Sequence, residues 1–352
     1  LRRKVTAEHA EFVTITKFLS KDVSNDCDIL CLDECSTISN RDMVRVLQRA
    51  QCKLLVLVGD IYQIESILFG NWFNIAYKVM PKDSVAELTR PHRTTVQGLI
   101  EVWNKVREIT EDRLEFITRN GLSSTLDESI FSRTEEDEIV LCLNYDGIYG
   151  INNINKFLQS NNVNPSINWG VLSYKVGDPV LFNESNRFAP LVYNNLKGKI
   201  LQIEEEEDCI YFTIEVYTVL NELDVIGFDL ELKESVTDET SVIRFKVGRG
   251  GDGNDDNDNV ENVVPFQVAY AISIHKAQGL EYESVKVVIT SEIEEMVSHN
   301  IFYTAITRAK SKLKIYWSPE TEKRILENMK VQFNDKDYQL FKAKYKEALL
   351  KS

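Results

Sequence analysis

Two adjacent carboxylates, Asp33 and Glu34, directly follow the short apolar run 29–32. Such a run is typical of a parallel strand buried on both faces, and open α/β sheets bind their ligands at the carboxyl ends of these strands. One carboxylate at such a position can hold Mg²⁺ while its neighbour orients and deprotonates an attacking water. The pair therefore predicts a metal-dependent hydrolytic site. The alternative for this pattern alone is a strand that ends in an ordinary polar loop.

A second apolar run, 54–58, ends in a similar way. Gly59 and Asp60 follow it directly, and Gln63 comes shortly after the aspartate. A glutamine at this point can hydrogen-bond a γ-phosphate or the water that attacks it, so that the site senses the state of a nucleotide. Gly59-Asp60 by itself indicates only a turn. Two neighbouring strands that both end in such groups favour one shared site.

The surrounding pattern indicates an α/β protein with an all-β insertion. Residues 39–52, between the two apolar runs, carry apolar side chains at helical spacing, which predicts a βαβ unit. A second α/β region begins at 139–143 and resumes at 284–289 and 313–317. The intervening residues, from 170 to about 246, have the short strands and turns of a small β-barrel.

The composition fits a soluble globular protein with more than one domain. The chain has 352 residues, and none of its apolar runs approaches the roughly 18 to 20 residues that a membrane span needs. The spacing of its six cysteines does not match known metal sites, so we expect buried free thiols in a reducing cytoplasm. The net charge of −14 argues against nucleic acid as a partner. Much of that charge is local, however, in an acidic run at 204–208 and a polar loop at 251–262.

Five segments distributed along the chain resemble the motifs of a known family. They lie at residues 33–36, 58–64, 88–93, 273–282 and 303–310. The first resembles the DExx box of superfamily 1 helicases, the second their GDxxQ motif, and the third the motif whose final arginine reaches the phosphates. The last two are similar to the fifth and sixth motifs. Each segment alone is a weak to moderate signal, but together they follow the family's order over about residues 10–318.

The resemblance implies that ATP and Mg²⁺ bind in a cleft between two RecA-like α/β domains, the first of them incomplete. It assigns catalytic roles as follows: Glu34 is the general base, Asp33 positions Mg²⁺, Gln63 senses the γ-phosphate, and Arg93 and Arg308 are arginine fingers. Arginine suits the last role because its planar fork binds phosphate oxygens and stabilises the charge that develops in transfer. The alternative for Arg308, without its motif, is a helix cap or a surface ion pair.

The same resemblance implies further contacts with the nucleotide. The residues concerned are Asp60, Gln278, Gly279 and Glu281. Gly279 permits close backbone approach, and Glu281 can accept a hydrogen bond from a nucleotide hydroxyl.

A third group is implied to contact nucleic acid: Thr14, Thr16, His275, Lys276 and Thr304. His275 and Lys276 are expected after an apolar strand, 266–272, and before a helix. Thr14 and Thr16 match less well because Thr16 replaces the more usual histidine, and an ordinary strand or helix start is the alternative there. Three aromatic residues, Trp72, Phe73 and Tyr174, are candidates for stacking on bases, although core packing is the commoner role of such residues.

The β-rich insertion also has a family likeness. Residues 177–200 are similar to the SH3-like insertion of RecD and phage Dda-type helicases, which move 5′ to 3′. We therefore predict an incomplete N-terminal RecA-like domain at 1–95, a helical connector at 96–135, a second RecA-like domain at 136–169 and 263–318, an SH3-like β-barrel insertion with its acidic loop at 170–262, and a C-terminal helical tail at 319–352.

The sequence lacks the G-x-x-x-x-G-K-[ST] pattern of a phosphate-binding loop. Its one Gly-Lys pair, Gly198-Lys199, is followed by Ile200, and Tyr193 stands where the first glycine should be. We therefore expect that the loop lies upstream of Leu1 in a longer polypeptide and that this fragment alone is inactive.

The expected function of the intact parent is ATP-dependent translocation on single-stranded nucleic acid and unwinding of duplexes. DNA is favoured over RNA, a monomeric motor is expected, and a further protein partner is left open. Two alternatives remain: an ATPase switch that regulates a nuclease or other partner, and a catalytically dead nucleic-acid-binding module.

Overall fold

The computed structural model describes residues 10–20, 26–65, 70–89, 91–183, 187–189, 191–235, 237–249, 262–330 and 335–349. Within these ranges the chain forms two parallel sheets, one larger antiparallel sheet and a separate hairpin. The mixed α/β class predicted from the sequence is confirmed.

The strands are β1 (Asp26–Leu32), β2 (Gln51–Leu57), β3 (Ser123–Ser124), β4 (Glu138–Cys142), β5 (Ser166–Trp169), β6 (Leu172–Lys175), β7 (Pro179–Phe182), β8 (Lys197–Glu205), β9 (Cys209–Val216), β10 (Glu231–Lys233), β11 (Ser241–Gly248), β12 (Phe266–Val268), β13 (Ala271–Ser273), β14 (Tyr282–Val288) and β15 (Ala309–Tyr316). The helices are α1 (Ile15–Phe18), α2 (Asn40–Arg49), α3 (Trp72–Val79), α4 (Gln97–Glu108), α5 (Arg113–Arg119), α6 (Ile151–Ser160), α7 (His299–Ile306), α8 (Pro319–Asn328) and α9 (Asp335–Leu349).

The first parallel sheet pairs β1 with β2, and α2 connects the two strands. Helix α2 begins at Ser39, whose hydroxyl accepts a hydrogen bond from the Asp42 amide and so satisfies one of the free N–H groups of the first turn. On the inner face, Leu32 packs with Met43 and Val46 of the helix. The predicted βαβ unit is therefore present.

The outer face of this sheet differs from the prediction. Ile29 and its register partner Leu54 are 61% and 52% exposed, and Cys31 on the same face is also exposed. Side chains alternate between the two faces of a strand, so α2 covers one set and no element within the described ranges covers the other. The expectations that both strands are buried on two faces and that Cys31 is a buried thiol are wrong for this part of the chain.

The second parallel sheet has the order β13-β4-β14-β15-β3. Strand β4, which lies between β13 and β14, is buried along its whole length. Helices α4 and α7 contribute to the large core on one face, and α6 belongs to the core on the other. Strand β3, which pairs with β15, lies in the segment predicted as a helical connector, so that segment also extends the sheet.

The antiparallel sheet has the order β10-β11-β9-β8-β7-β12 and a core of its own. Because β12 pairs with β7 of this sheet and β13 pairs with β4 of the parallel sheet, the single strand predicted at 266–272 is in fact two. Within the described residues no pairing joins β10 to β12. Closure into an SH3-like barrel therefore stays a prediction.

The C-terminal helices return to both halves of the chain. Helix α8 packs near α5, and α9 meets α3, where the Asn71 side-chain amide donates to Asp337 at 2.6 Å. Within the described ranges, no helix is long and apolar enough to cross a lipid bilayer.

Candidate nucleotide site and nucleic-acid surface

The two carboxylates emerge from the end of β1 in a tight turn. Glu34 has a φ of 52°, in the left-handed region, which is uncommon for a residue with a side chain. The turn is held by the Asp33 carboxylate, which accepts the Glu34 amide at 2.9 Å, and by a bond from the Cys35 amide to the Val58 carbonyl at 2.8 Å. Asp33 is left exposed while Glu34 is half-buried.

Burial raises the pKa of the Glu34 carboxyl, and the neighbouring Asp33 charge raises it further. The charges of Arg308 and Arg93 act in the opposite direction, and so they lie close enough to Glu34 to favour its ionised form. A carboxylate with a raised pKa beside two guanidinium groups has the character of a general base next to a site for negative charge.

Gln63 lies in the turn after β2. Its amide nitrogen donates to the Asp60 carboxylate at 3.3 Å, and the other oxygen of that carboxylate accepts the Tyr62 amide at 2.9 Å. The side-chain oxygen of Gln63 is buried without a hydrogen-bond partner among the described residues. Such an unpaired acceptor costs free energy unless a ligand or water completes it.

Arg308 is far from Glu34 in sequence. Its side chain is fully buried, at 0% exposure. Its guanidinium donates to the carbonyls of Thr304 at 2.9 Å and Leu280 at 3.2 Å, and to the Thr307 hydroxyl at 3.2 Å. Within the described ranges no carboxylate forms an ion pair with it. Burial, together with the nearby charge of Arg93, lowers the pKa of Arg308 to about 10. The predicted alternative is partly present, because the bond to Thr304 caps the end of α7.

Arg93 joins the same cluster from the opposite side. Its Nε donates to the Glu281 carboxylate at 3.2 Å and its Nη1 donates to the Thr307 carbonyl at 2.6 Å. The second Glu281 oxygen is paired with Lys310 at 2.8 Å. Burial alone would raise the pKa of Glu281, but the hydrogen bonds from Lys310 and Arg93 hold it below its ordinary value. Glu281 therefore has two cationic partners in this structure, whereas a nucleotide hydroxyl was predicted.

Gln278 and Thr304 have partners that the sequence analysis did not predict. The Gln278 amide donates to the Ile64 carbonyl at 3.0 Å, and the Thr304 hydroxyl accepts the Ile64 amide at 3.1 Å. Thr304 is completely buried. This burial contradicts its predicted contact with nucleic acid, since no strand could reach the hydroxyl without disrupting the core.

The segment around Gly279 also differs locally. Residues 274–279 form consecutive turns, so the helix expected after His275 is absent. Gly279 has a φ of 77°, which a residue with a side chain rarely adopts. His275 is half-buried, and burial lowers its pKa. Lys276 donates to the Gln267 side chain at 2.7 Å.

Thr16 lies in α1 and Thr14 directly precedes that helix. We call the first parallel sheet with α1 and α2 the first layer, and the second parallel sheet with its helices the second layer. The Thr14 hydroxyl caps α1 by accepting the Lys17 amide at 3.2 Å. Thr16 is exposed and lines an open groove of about 480 Å³ between α1 and α2, together with Thr37, Ser39, Asp42 and Arg45. The Asp42 carboxylate accepts the Ser39 hydroxyl at 2.9 Å and pairs with Arg45 at 3.4 Å. Hydroxyls and an arginine are groups that bind phosphate oxygens.

A rigid loop at residues 144–150 follows β4 at the edge of the second sheet. The Asn152 side chain donates to the Asp146 carboxylate at 3.1 Å, and a Cβ at Gly150 would lie 2.3 Å from the Asp146 carbonyl oxygen, so only glycine fits there. The loop leaves Tyr145 and Ile148 exposed, at 50% and 69%. An exposed aromatic ring on a rigid loop offers a surface for base stacking.

This loop and His275 are neighbours, because β4 and β13 are adjacent parallel strands that end together. The Ile274 amide donates to the Cys142 carbonyl at 3.0 Å, immediately before the two turns diverge. Both turns therefore lie at the carboxyl edge of the second sheet, where α/β sheets place their ligands.

Known families match two parts of the chain. Residues 268–316 match the UvrD-like helicase C-terminal domain, and residues 3–127 match the AAA domain. The RecD subunit of the RecBCD enzyme from Mycolicibacterium smegmatis is 22% identical over 87% of this chain and 52% of its own length. An uncharacterized protein of Methanocaldococcus jannaschii is 24% identical over 84% of this chain and 29% of its own length. The chain thus spans about half of one relative and under a third of the other.

The crystal structure of the Pif1 helicase from Candida albicans shares the fold. It matches with a TM-score of 0.50 over 89% of this chain and 77% of that chain, at 17% identity. The family matches and the RecD relative confirm the resemblance to superfamily 1 helicases of the RecD type, and the Pif1 structure shows a shared fold.

The three aromatic residues considered for base stacking in this helicase-like chain have packing roles. Tyr174 is buried in the core of the antiparallel sheet, edge-on to Phe212 and Phe266. Trp72 donates its indole N–H to the Ile38 carbonyl at 2.8 Å and packs against Phe73. Core packing, the alternative stated for these residues, is what the structure has.

Tyr145 and Asn300 are candidate site residues that the sequence analysis did not name. Tyr145 could have been found, since it comes two residues after the end of the apolar run 139–143, at a strand end comparable with the one that Asp33 follows. Asn300 could not, because its side chain donates to the main-chain carbonyl of Gln63 at 2.8 Å, and a main-chain acceptor leaves no mark on the sequence.

Proposed function

We propose that this chain forms most of the motor of an ATP-dependent helicase that translocates on single-stranded nucleic acid. The observation that carries the proposal is that Arg93 and Arg308 both donate hydrogen bonds to Thr307 and that the charges of both lower the pKa of Glu34. Among the described residues, no carboxylate forms an ion pair with Arg308. A transferring phosphoryl group supplies the negative charge that these two guanidinium groups can stabilise. Because Arg308 is fully buried in this structure, its proposed role requires the cleft to open before a phosphate can reach it.

The residues present fit ATP and Mg²⁺. Asp33 is an exposed carboxylate that can hold Mg²⁺ directly or through water, and the metal when bound neutralises charge on the phosphates. Glu34, next to it, can take a proton from the attacking water. The unpaired oxygen of Gln63 can accept the other hydrogen of that water and fix its direction of approach.

The decisive test uses Glu34→Gln in the full natural polypeptide that contains this sequence. We expect the kcat for nucleic-acid-stimulated ATP hydrolysis to fall by about 100-fold or more, since a positioned general base contributes on the order of 10² to 10⁴. Glu327→Gln in α8, an exposed glutamate remote from the cleft, is the matched control and should retain wild-type activity. Near wild-type hydrolysis by Glu34→Gln would exclude the base assignment.

The 352 residues contain no G-x-x-x-x-G-K-[ST] pattern. We propose that they hydrolyse ATP poorly by themselves, because the backbone amides and the lysine of that loop are what hold the phosphates. Steady-state assays of the isolated chain beside the full natural polypeptide measure this difference. Equal turnover by the two would refute it.

The proposed track runs over two surfaces: the groove beside Thr16 and the carboxyl edge of the second sheet at Tyr145 and His275. The Thr16 and Thr37 hydroxyls in the groove suit backbone phosphates, Arg45 can join them if it leaves its pairing with Asp42, and Tyr145 suits a base. We propose DNA as the strand and 5′ to 3′ as the direction, in keeping with the likeness of 177–200 to the insertion of Dda-type helicases. Unwinding of duplexes with a 5′ or a 3′ single-stranded tail, in DNA and RNA, decides both points.

A further inference from the structure

The peptide bond between Gln63 and Ile64 is held on both sides by one helix of the second layer. Its carbonyl oxygen accepts the Asn300 side-chain amide at 2.8 Å, and its N–H donates to the Thr304 hydroxyl at 3.1 Å. Asn300 and Thr304 are four residues apart in α7, so they lie on the same face of that helix. Both polar atoms of a single peptide unit are therefore fixed by side chains from the other domain.

Two more contacts make the attachment firm. The Ile64 carbonyl accepts the Gln278 amide at 3.0 Å, so three consecutive main-chain polar groups are bound. The Ile64 side chain is buried in the core of the second layer, with residues such as Trp103 and Ile306. In sequence, the turn that carries Gln63 follows β2 of the first layer. In the folded chain, it packs against the core of the second layer.

We propose that Asn300, acting with Gln278 and Thr304, is a positioning residue for Gln63. This clamp fixes the main chain from which the Gln63 side chain projects, and its Nε2 bond to Asp60 then directs the remaining oxygen. Because the clamp residues belong to the second layer, Gln63 is aligned only while the two layers are closed against each other. The inference rests on the function proposed above: closure of the two layers acts on the nucleotide site by aligning Gln63.

Two variants of Asn300 separate positioning from folding. Asn300→Asp keeps the size of the side chain, removes the N–H donor and adds a negative charge near the start of α7, where the helix dipole favours it. Asn300→Ala removes the whole amide. Asn120→Ala is the matched control, because the Asn120 amide also donates to a main-chain carbonyl, that of Phe116 at 2.8 Å, in an exposed turn.

In the full natural polypeptide we expect both Asn300 variants to lower the kcat for ATP hydrolysis by about 10-fold to 100-fold, while the KM for ATP changes by less than about threefold. Misplacement of a positioning group acts mainly on the chemical step. The control should stay within about twofold of the wild-type kcat. Wild-type kcat in Asn300→Asp, or a rise in KM with unchanged kcat, would overturn the proposal.

Absence of ATPase activity in the wild-type protein would refute the proposed function. A second measurement tests the clamp even in that case. Spin labels at the exposed positions Lys53 and Lys323, introduced as non-cysteine labels, report the distance between the two layers. Loss of the clamp should broaden this distance distribution in Asn300→Asp and leave it unchanged in Asn120→Ala. In a protein without ATPase, an unchanged distribution in Asn300→Asp would overturn the clamp by itself.

Discussion

Substitution of Arg308 by methionine should abolish activity with only a modest loss of folding stability. The guanidinium is completely buried and its pKa is lowered from 12.5 to about 10. That difference corresponds to about 3 kcal/mol against the charged form. Three hydrogen bonds from the charged guanidinium, each contributing about 1.5 to 3 kcal/mol, outweigh this cost. Methionine removes both contributions and fills a similar volume, so the free energy of unfolding should fall by about 1 to 3 kcal/mol.

Urea unfolding of the isolated chain, followed by circular dichroism, measures the stability half of this prediction. Phe302→Ala, on the same helix, provides the contrast. Phe302 is also fully buried and stacks on Trp317, so its removal should cost about 3 to 5 kcal/mol. A buried arginine that behaves like Phe302 would mean that the helix cap at Thr304 is its main role.

ATP hydrolysis by the full natural polypeptide measures the other half. Arg308→Met should lower kcat by about 10³-fold or more, in the range found for arginine fingers. Arg308→Lys should also fail, because an ammonium cannot reproduce the planar fork. A loss of more than about 3 kcal/mol in stability together with retained ATPase would refute the reasoning that this residue is placed for charge stabilisation.

The remaining predictions concern a buried ion pair, the loop after β4 and the acid limb of activity. The Lys286 ammonium lies 3.1 Å from the almost fully buried carboxylate of Glu138. Lys286→Met leaves that carboxylate without its cation and should lower the free energy of unfolding in urea by about 3 to 5 kcal/mol. Adding Glu138→Leu should restore most of the loss, and a cost below about 1 kcal/mol in the single variant would contradict this. Tyr145→Ala should weaken binding of labelled single-stranded DNA by about tenfold in fluorescence anisotropy, with stability unchanged. The control Tyr77→Ala in α3 should bind like the wild type, and equal affinities of Tyr145→Ala and the wild type would exclude a stacking role. Burial raises the pKa of Glu34 above the ordinary 4.5 of a glutamate, and a general base must be ionised to act. As the pH decreases, kcat/KM for ATP hydrolysis should therefore begin to fall above pH 4.5. A profile that stays flat down to pH 4.5 would argue against Glu34 as the base.

Local sequence pattern predicted the residues at strand ends well. The apolar runs 29–32 and 54–58 become parts of β1 and β2, and the polar residues that follow them lie in adjacent turns. This works because hydrophobic periodicity and strand length are local properties, and parallel neighbours necessarily end at the same edge. The helix predicted after His275 is absent for a local reason as well, since successive turns and a glycine with positive φ replace it.

Exposure was decided by tertiary structure. Ile29 and Leu54 have the sequence of a doubly buried strand, yet one face of their sheet is uncovered in the described residues. Thr304 has the polarity of a contact residue, yet it is buried because the turn after β2 inserts Ile64 beside α7. A side chain's type sets what it can bind, whereas the packing of distant segments sets what it meets.

The sequence by itself determined the chemical inventory of this protein: the paired carboxylates at 33–34, Gln63 after the next strand, and the two arginines. Only the tertiary structure decided that Arg93 and Arg308 meet at Thr307, where the charges of both act on Glu34, and that Asn300 holds the peptide bond after Gln63. The physical reason is that the chain folds by burying apolar surface between segments far apart in sequence. Hydrogen bonds to main-chain atoms then form wherever that packing places them, and main-chain atoms are the same in every residue.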